Sequence, residues 1–252
     1  MANHDIDISE QAGVRSLHFG SDWVQGAMRI ARPWALELDY TREMMACLAL
    51  HPQPEWPRRV LLIGLGAASL TKFLYRHRPQ AKLHVVEIDA GVVAAAYQFF
   101  KLPDDPARIR VEIGDGAAHV AKSGSAYDLI LVDGYDADGR SGMLDSTPFY
   151  LNCKARLADG GLLVANLLSR RKDYARSVER LAAAFDGRAL VFPPCDSGNA
   201  VAFATVGEPL SMTLVELKHA MFALKRDTGL NLLPTLVRLE GAKGCREGRL
   251  EL

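Results

Sequence analysis

The chain has 252 residues, 49% of them hydrophobic and 24% charged, which suits one large α/β domain with small appendages and a sizeable core. Thirty Lys and Arg balance thirty Asp and Glu, which argues against both a nucleic-acid-binding basic field and an acidic disordered tail. The polar start MANHDIDISEQ is not a secretory signal and no apolar run is long enough for a membrane span, so a cytoplasmic protein is expected.

In chain order, LHFGSDWVQGAMRI (17–30) reads as a β-hairpin and LDYTREMMACLAL (38–50) as helix-like, with Pro52, Pro54 and Pro57 forming a linker. Five apolar runs follow: VLLI (60–63), LHVVEI (83–88), IRVEI (109–113), DLILV (128–132) and LLVAN (162–166). Most are nearly continuous in Val, Ile and Leu, as parallel strands covered on both faces are.

Helical stripes separate them. Leu70, Phe73 and Leu74 form one, and Val93, Ala96 and Phe100 the next. Ser146 or Thr147 can cap a further helix carrying Pro148 in its first turn, and ADGG (158–161) is expected to stop it. Tyr174, Val178, Leu181 and Phe185 stripe another, ended by Asp186-Gly187. ALVF (189–192) and AVAFATV (200–206) then read as two strands of a long hairpin. Leu214, Leu217, Met221 and Leu224 give a last helix, stopped by Gly229.

Five βα-type units and a closing hairpin predict an α/β, Rossmann-like fold with a seven-stranded methyltransferase-type sheet and helices on both faces. The expected organisation is an N-terminal hairpin and helix region (1–57), a nucleoside-binding domain (58–207) and a C-terminal helical extension (208–252).

The candidate chemistry lies at the strand ends. Gly64 and Gly66 allow a tight turn and close backbone approach to a ligand at a helix N-terminus, with Ser69 where a dinucleotide fingerprint has its third glycine. Glu87 falls 23 residues after Gly64, about where an acid meets ribose hydroxyls, while Asp89 suits a helix cap. Asp115, between Gly114 and Gly116, can accept from an exocyclic amine or cap a helix. Asp133 follows the fourth run at its carboxyl end and Asp136 comes three residues later in a Gly-rich loop; two carboxylates there could attract a cationic amine and take its proton. Cys47, Cys153, Cys195 and Cys245 form no CxxC pair and the histidines show no ligand spacing, so no metal is expected.

From about Leu17 to Val206 the order of WVQG, REMM, VLLIGLG, VVEID, GDGA, YDLILVDGYD and FYLNCKARLADGGLLVAN resembles the polyamine aminopropyltransferases, the spermidine synthases. The resemblance implies decarboxylated S-adenosylmethionine as donor substrate, a polyamine amine as acceptor, no metal, and a homodimer. It places Glu87 on the ribose, Asp115 on the adenine amine, Gln25 near the donor, Asp133 beside the attacking amine and Asp136 on the acceptor.

Three departures stand out. The family's Gly-Gly-Gly-Asp-Gly is Gly64-Leu65-Gly66-Ala67-Ala68, so the acid that would pair with the donor's ammonium is absent. The family's Asp-Ser-x-Asp-Pro is Asp133-Gly134-Tyr135-Asp136-Ala137, and its Tyr-x-Glu-Met is Thr41-Arg42-Glu43-Met44, with Tyr40 one place early as the candidate catalytic tyrosine. The alternatives are methyl transfer from S-adenosylmethionine to a small amine, a non-catalytic nucleoside-binding protein and a nicotinamide-dependent oxidoreductase. The terminal hairpin and Ser69 count against the last.

Overall fold

The computed structural model describes residues 5–136, 139–240 and 248–252; Ala137 and Cys245 lie outside the described residues. The N-terminal part is a three-stranded antiparallel sheet of β1 (Ile6–Gln11), β2 (Val14–Phe19) and β3 (Gly26–Arg29). The expected hairpin is β2–β3. β1 is an addition to it, and the sequence hides it because it alternates Ile6 and Ile8 with polar residues over only six positions. Ile6 packs toward Gly91, where a Cβ would stand 2.7 Å from its Cδ1.

The helix-like stretch is two short helices, α1 (Asp39–Met44) and α2 (Cys47–Leu50). α2 is buried, and α1 buries Thr41, Met44 and Glu43, the last 2% exposed. That carboxylate pairs with Arg238 and accepts from Thr235 Oγ1 at 3.2 Å. A buried charge needs such partners.

The α/β part follows in order: β4 (Arg59–Ile63), α3 (Ser69–His77), β5 (Lys82–Glu87), α4 (Ala90–Phe99), β6 (Ile109–Ile113), α5 (Gly116–Ala121) and β7 (Tyr127–Val132). After a 3-10 turn at Gly142–Asp145 come α6 (Thr147–Arg156), β8 (Leu157–Leu168), α7 (Tyr174–Ala184), β9 (Ala189–Val191) and β10 (Asn199–Thr205). The seven strands lie in the order β6-β5-β4-β7-β8-β10-β9. β6, β5, β4, β7 and β8 are mutually parallel, and β10 is antiparallel to both its neighbours. This is the predicted methyltransferase-type sheet.

Alternation explains why the strand sequences look continuously apolar. Val60 and Leu62 enter one core with Leu129, Leu131, Leu162 and Val164. Leu61 and Ile63 enter the other with Ile130, Val132, Leu163 and Ala165. Helices cover both faces, so neither set of positions can be polar.

One boundary differs from expectation. The ADGG segment does not stop α6; that helix ends at Arg156, and Leu157 is already extended at φ −81°, ψ 141°. β8 pairs Leu157 with Tyr127 and then Leu162 with Leu129, so the strand absorbs the surplus residues as a bulge in which Gly160 has φ +68°. The glycines serve the bulge rather than a helix cap.

The C-terminal part contains β11 (Ser211–Thr213), α8 (Leu214–Thr228), α9 (Leu233–Glu240) and β12 (Arg249–Glu251). A capping box of Thr213 and Glu216 starts α8 and left-handed Gly229 ends it. Leu217, Met221 and Leu224 are its buried stripe, set against α2 and α9. The small β11–β12 sheet was not foreseen. No described helix is long and apolar enough to cross a membrane.

Candidate active site

Chain order reverses direction in the sheet between β4 and β7, where an open α/β sheet forms a crevice at its carboxyl edge. Ile63 pairs with Val132, so the next residues, Gly64 and Asp133, leave the sheet side by side. Asp133 N donates to Ile63 O at 2.9 Å, and Gly64 N donates to Val86 O at 2.9 Å. Gly64 has φ +94°, and a Cβ there would collide with the Asp133 carbonyl. Any other residue at 64 would push the two strand ends apart.

The glycine loop continues through Gly66 at φ +50° and Ala68 at φ +55° into α3. Glu87, 7% exposed at the end of β5, holds this loop: its Oε2 accepts from Leu65 N at 2.8 Å and its Oε1 from Asp89 N at 3.0 Å. Burial raises the Glu87 pKa against the lowering pull of those N–H groups. Asp89 caps α4 through Gly91 N at 2.8 Å. The N-terminal sheet closes the loop from above. Gln25 N donates to Leu17 O at 2.8 Å, and Ser69 Oγ donates to Ala27 O at 3.2 Å.

The Asp133 carboxylate is held by two elements. Tyr40 of α1 donates its phenolic O–H to Oδ2 at 3.1 Å, and Asn166 of β8 donates Nδ2–H to Oδ1 at 2.8 Å. Asn199 of β10 fixes the orientation of Asn166 by donating to its Oδ1 at 2.9 Å. Tyr135 O–H donates to the Asn166 carbonyl at 2.6 Å. Burial pushes the Asp133 pKa up, and the Asn166 and Tyr40 donors pull it back. Burial and the neighbouring carboxylate together push Tyr40 well above the usual phenol range, so it remains a donor. A small cavity opens here, lined by Gln25, Tyr40, Gly64, Gly66, Ala67 and Asp133 among others.

Residues 38–180, more than half of the chain, match the spermine/spermidine synthase domain family. The chain belongs to that family. Two curated relatives, both named polyamine aminopropyltransferase, extend the likeness to nearly the full length. The protein from Chromobacterium violaceum is 35% identical over 98% of this chain and 93% of its own. That from Neisseria meningitidis serogroup A is 32% identical over 94% and 90%. A crystal structure of a probable spermidine synthase from Corynebacterium glutamicum shares the fold with a TM-score of 0.72 at 18% identity, over 90% of this chain and 91% of that one. Family membership makes the chain a transferase.

Among the sequence-predicted site residues, the structure brings Gln25, Tyr40, Gly64, Gly66 and Asp133 to one cavity, with Glu87 beneath the loop. Asp115 and Asp136 do not line it. Asp115 is exposed and caps α5 through Ala117 N at 2.8 Å. Gly116 lets that helix start against β4, since a Cβ would collide with Ile63 Cγ2. Asp136 closes its own turn, accepting from Arg140 N at 2.8 Å.

Asn166 and Asn199 were missed. Their signal was a polar amide at the carboxyl end of an otherwise apolar strand, LLVAN, and another at the start of its antiparallel neighbour. Only the register, which pairs Val201 with Asn166, makes them neighbours.

Proposed function

We propose that the protein transfers the aminopropyl group of decarboxylated S-adenosylmethionine to an amine of a small polyamine. The observation that carries this reading is Asp133, a desolvated carboxylate at the topological switch point, held by Tyr40 and Asn166 on the wall of the glycine-loop cavity. The names of the aminopropyltransferase relatives support it.

The acceptor amine is protonated at neutral pH and must lose a proton before its nitrogen can attack. Asp133 accepts that proton through one oxygen while Tyr40 and Asn166 keep the carboxylate oriented. The nitrogen then forms a bond to the carbon next to the sulfonium, the carbon–sulfur bond breaks, and methylthioadenosine leaves neutral. No oxyanion develops, so the rate comes mainly from desolvation and alignment. Glu87 serves the ribose hydroxyls and Asp115 the adenine amine, with Gly64, Gly66 and Gly116 giving backbone access and Gln25 covering the donor. Asp136, three residues beyond Asp133, attracts the far ammonium of the acceptor.

We assign donor binding to residues 58–207, cover to 1–57, and packing to 208–252, in a cytoplasmic homodimer. Exposed Val215 and Phe222 on α8 and Val237 on α9 support a subunit contact there. The test is calorimetric binding of decarboxylated S-adenosylmethionine, S-adenosylmethionine, methylthioadenosine and NAD. Tightest binding of the decarboxylated donor supports the reading. Preference for intact S-adenosylmethionine would redirect it to methyl transfer, and preference for NAD would end it.

A further inference from the structure

Away from the active-site cavity, β5, β6 and α5 bring His84, Glu112 and His119 together, with one ligand atom of each lying within 4.8 Å of the others. His84 Nε2 stands 3.1 Å from Glu112 Oε2, and His119 Nδ1 stands 3.4 Å from Glu112 Oε1. Each ring turns its other nitrogen to the Tyr127 hydroxyl, at 3.1 Å from His84 Nδ1 and 3.3 Å from His119 Nε2.

Two imidazoles in their neutral form and one phenol carry three protons for these four contacts, so the arrangement takes up one further positive charge, a proton or a metal cation. A metal cation held by His84 Nε2, His119 Nδ1 and Glu112 supplies it. Both remaining ring N–H groups then donate to the two lone pairs of the Tyr127 oxygen, the outer hydrogen bonds that ligating histidines require. The spacing agrees. Metal–ligand bonds of roughly 2.0–2.1 Å in tetrahedral geometry put ligand atoms about 3.4 Å apart.

We propose that His84, Glu112 and His119 form a binding site for a divalent transition metal of the zinc class, with solvent completing the coordination. The donor set of two imidazoles and one carboxylate matches that class better than calcium or magnesium, which prefer all-oxygen shells. Solvent has access, because the Glu112 side chain is 31% exposed. Arg110 lies 3.5 Å from Glu112 Oε2 and is itself 74% exposed, so its guanidinium can move into water. His119 sits one helical turn past Asp115 and His84 three residues before Glu87, so a bound metal ties α5 to the strand that carries the ribose acid. The site is independent of the transferase reaction and needs no turnover to be tested.

The experiment uses the full chain after chelator treatment and dialysis, titrated with Zn²⁺ by calorimetry and with Co²⁺ by visible absorption. One equivalent of Zn²⁺ and the intense bands of four-coordinate Co²⁺ are expected. His119→Ala and the near-isosteric Glu112→Gln should each weaken Zn²⁺ by more than the roughly 10–100-fold typical of losing an outer partner, and Tyr127→Phe by about that range. His18→Ala, on the N-terminal sheet away from the cluster, should change nothing. Circular dichroism without metal separates lost ligands from lost folding, and Glu112→Gln keeps the test open if His119→Ala does not fold. Absence of stoichiometric Zn²⁺ binding by the wild type, or unchanged affinity in Glu112→Gln, overturns the proposal.

Discussion

Gly26, the first residue of β3, lies so close to Ala67 that a Cβ on the glycine would stand 2.7 Å from both the methyl carbon and the backbone nitrogen of the alanine. The N-terminal sheet therefore rests directly on the glycine loop, and Ala67 is small and 2% exposed where they meet. Asp133 is the sole carboxylate among the described residues lining the cavity.

Gly26→Ala should separate sheet and loop. The clash includes backbone, so no side-chain rotation relieves it, and an overpacking cost of about 1–3 kcal/mol is expected. Both the melting temperature and the affinity for methylthioadenosine should fall. Unchanged values for both would show that the loop tolerates a wider gap.

The second prediction concerns pH. Transfer requires ionised Asp133, whose pKa is raised by burial and lowered by Asn166 and Tyr40. Removing a donor from a carboxylate raises its pKa, so Asn166→Ala should move the acidic limb of kcat/KM to higher pH. Tyr40→Phe should shift it the same way. A limb that stays in place would remove Asp133 from the titration.

Glu87→Gln should weaken methylthioadenosine binding by about 1–3 kcal/mol, because the amide loses the charge and offers one acceptor where Glu87 now receives Leu65 N and Asp89 N. Calorimetry with free adenosine as a second ligand checks it. Equal affinities for wild type and variant would disprove the ribose assignment.

Lys72 offers a stability test. It is 1% exposed on α3, its Nζ donates to Phe100 O at 2.7 Å, and burial, then the Lys101 charge, brings its pKa down to about 7. The unfolded chain keeps that proton to roughly pH 10.4. Between the two values the unfolded state binds more protons, so stability rises with pH, and the cost is fully present below about pH 7. Lys72→Met should therefore stabilise by on the order of a few kcal/mol near pH 6, and by progressively less as pH rises toward 10. Denaturant melts at several pH values check it; a gain independent of pH would mean Lys72 is not the titrating group.

Much of this was legible in the sequence because burial on both faces writes itself as unbroken Val, Ile and Leu runs, and because Gly64 and Asp133 sit at the ends of such runs. The boundary at Leu157 was not legible, since Gly160 in a bulge and a glycine that stops a helix look alike until strand pairing is known. Asp115 carries a similar ambiguity: it caps α5 in the structure, and its adenine role is a proposal. The Asn166–Asn199 pair and the joining of His84 to Glu112 depend on contacts between residues 33 and 28 apart, which no local spacing encodes.

The most direct test of the account is the rate of methylthioadenosine release from decarboxylated S-adenosylmethionine and a diamine, by wild type and Asp133→Asn, with methylthioadenosine affinity measured on the same preparations. The account predicts turnover by the wild type, its loss in Asp133→Asn by two orders of magnitude or more, roughly the scale of general-base catalysis, and nearly equal affinities. Undiminished turnover in Asp133→Asn, or none in the wild type, would contradict it.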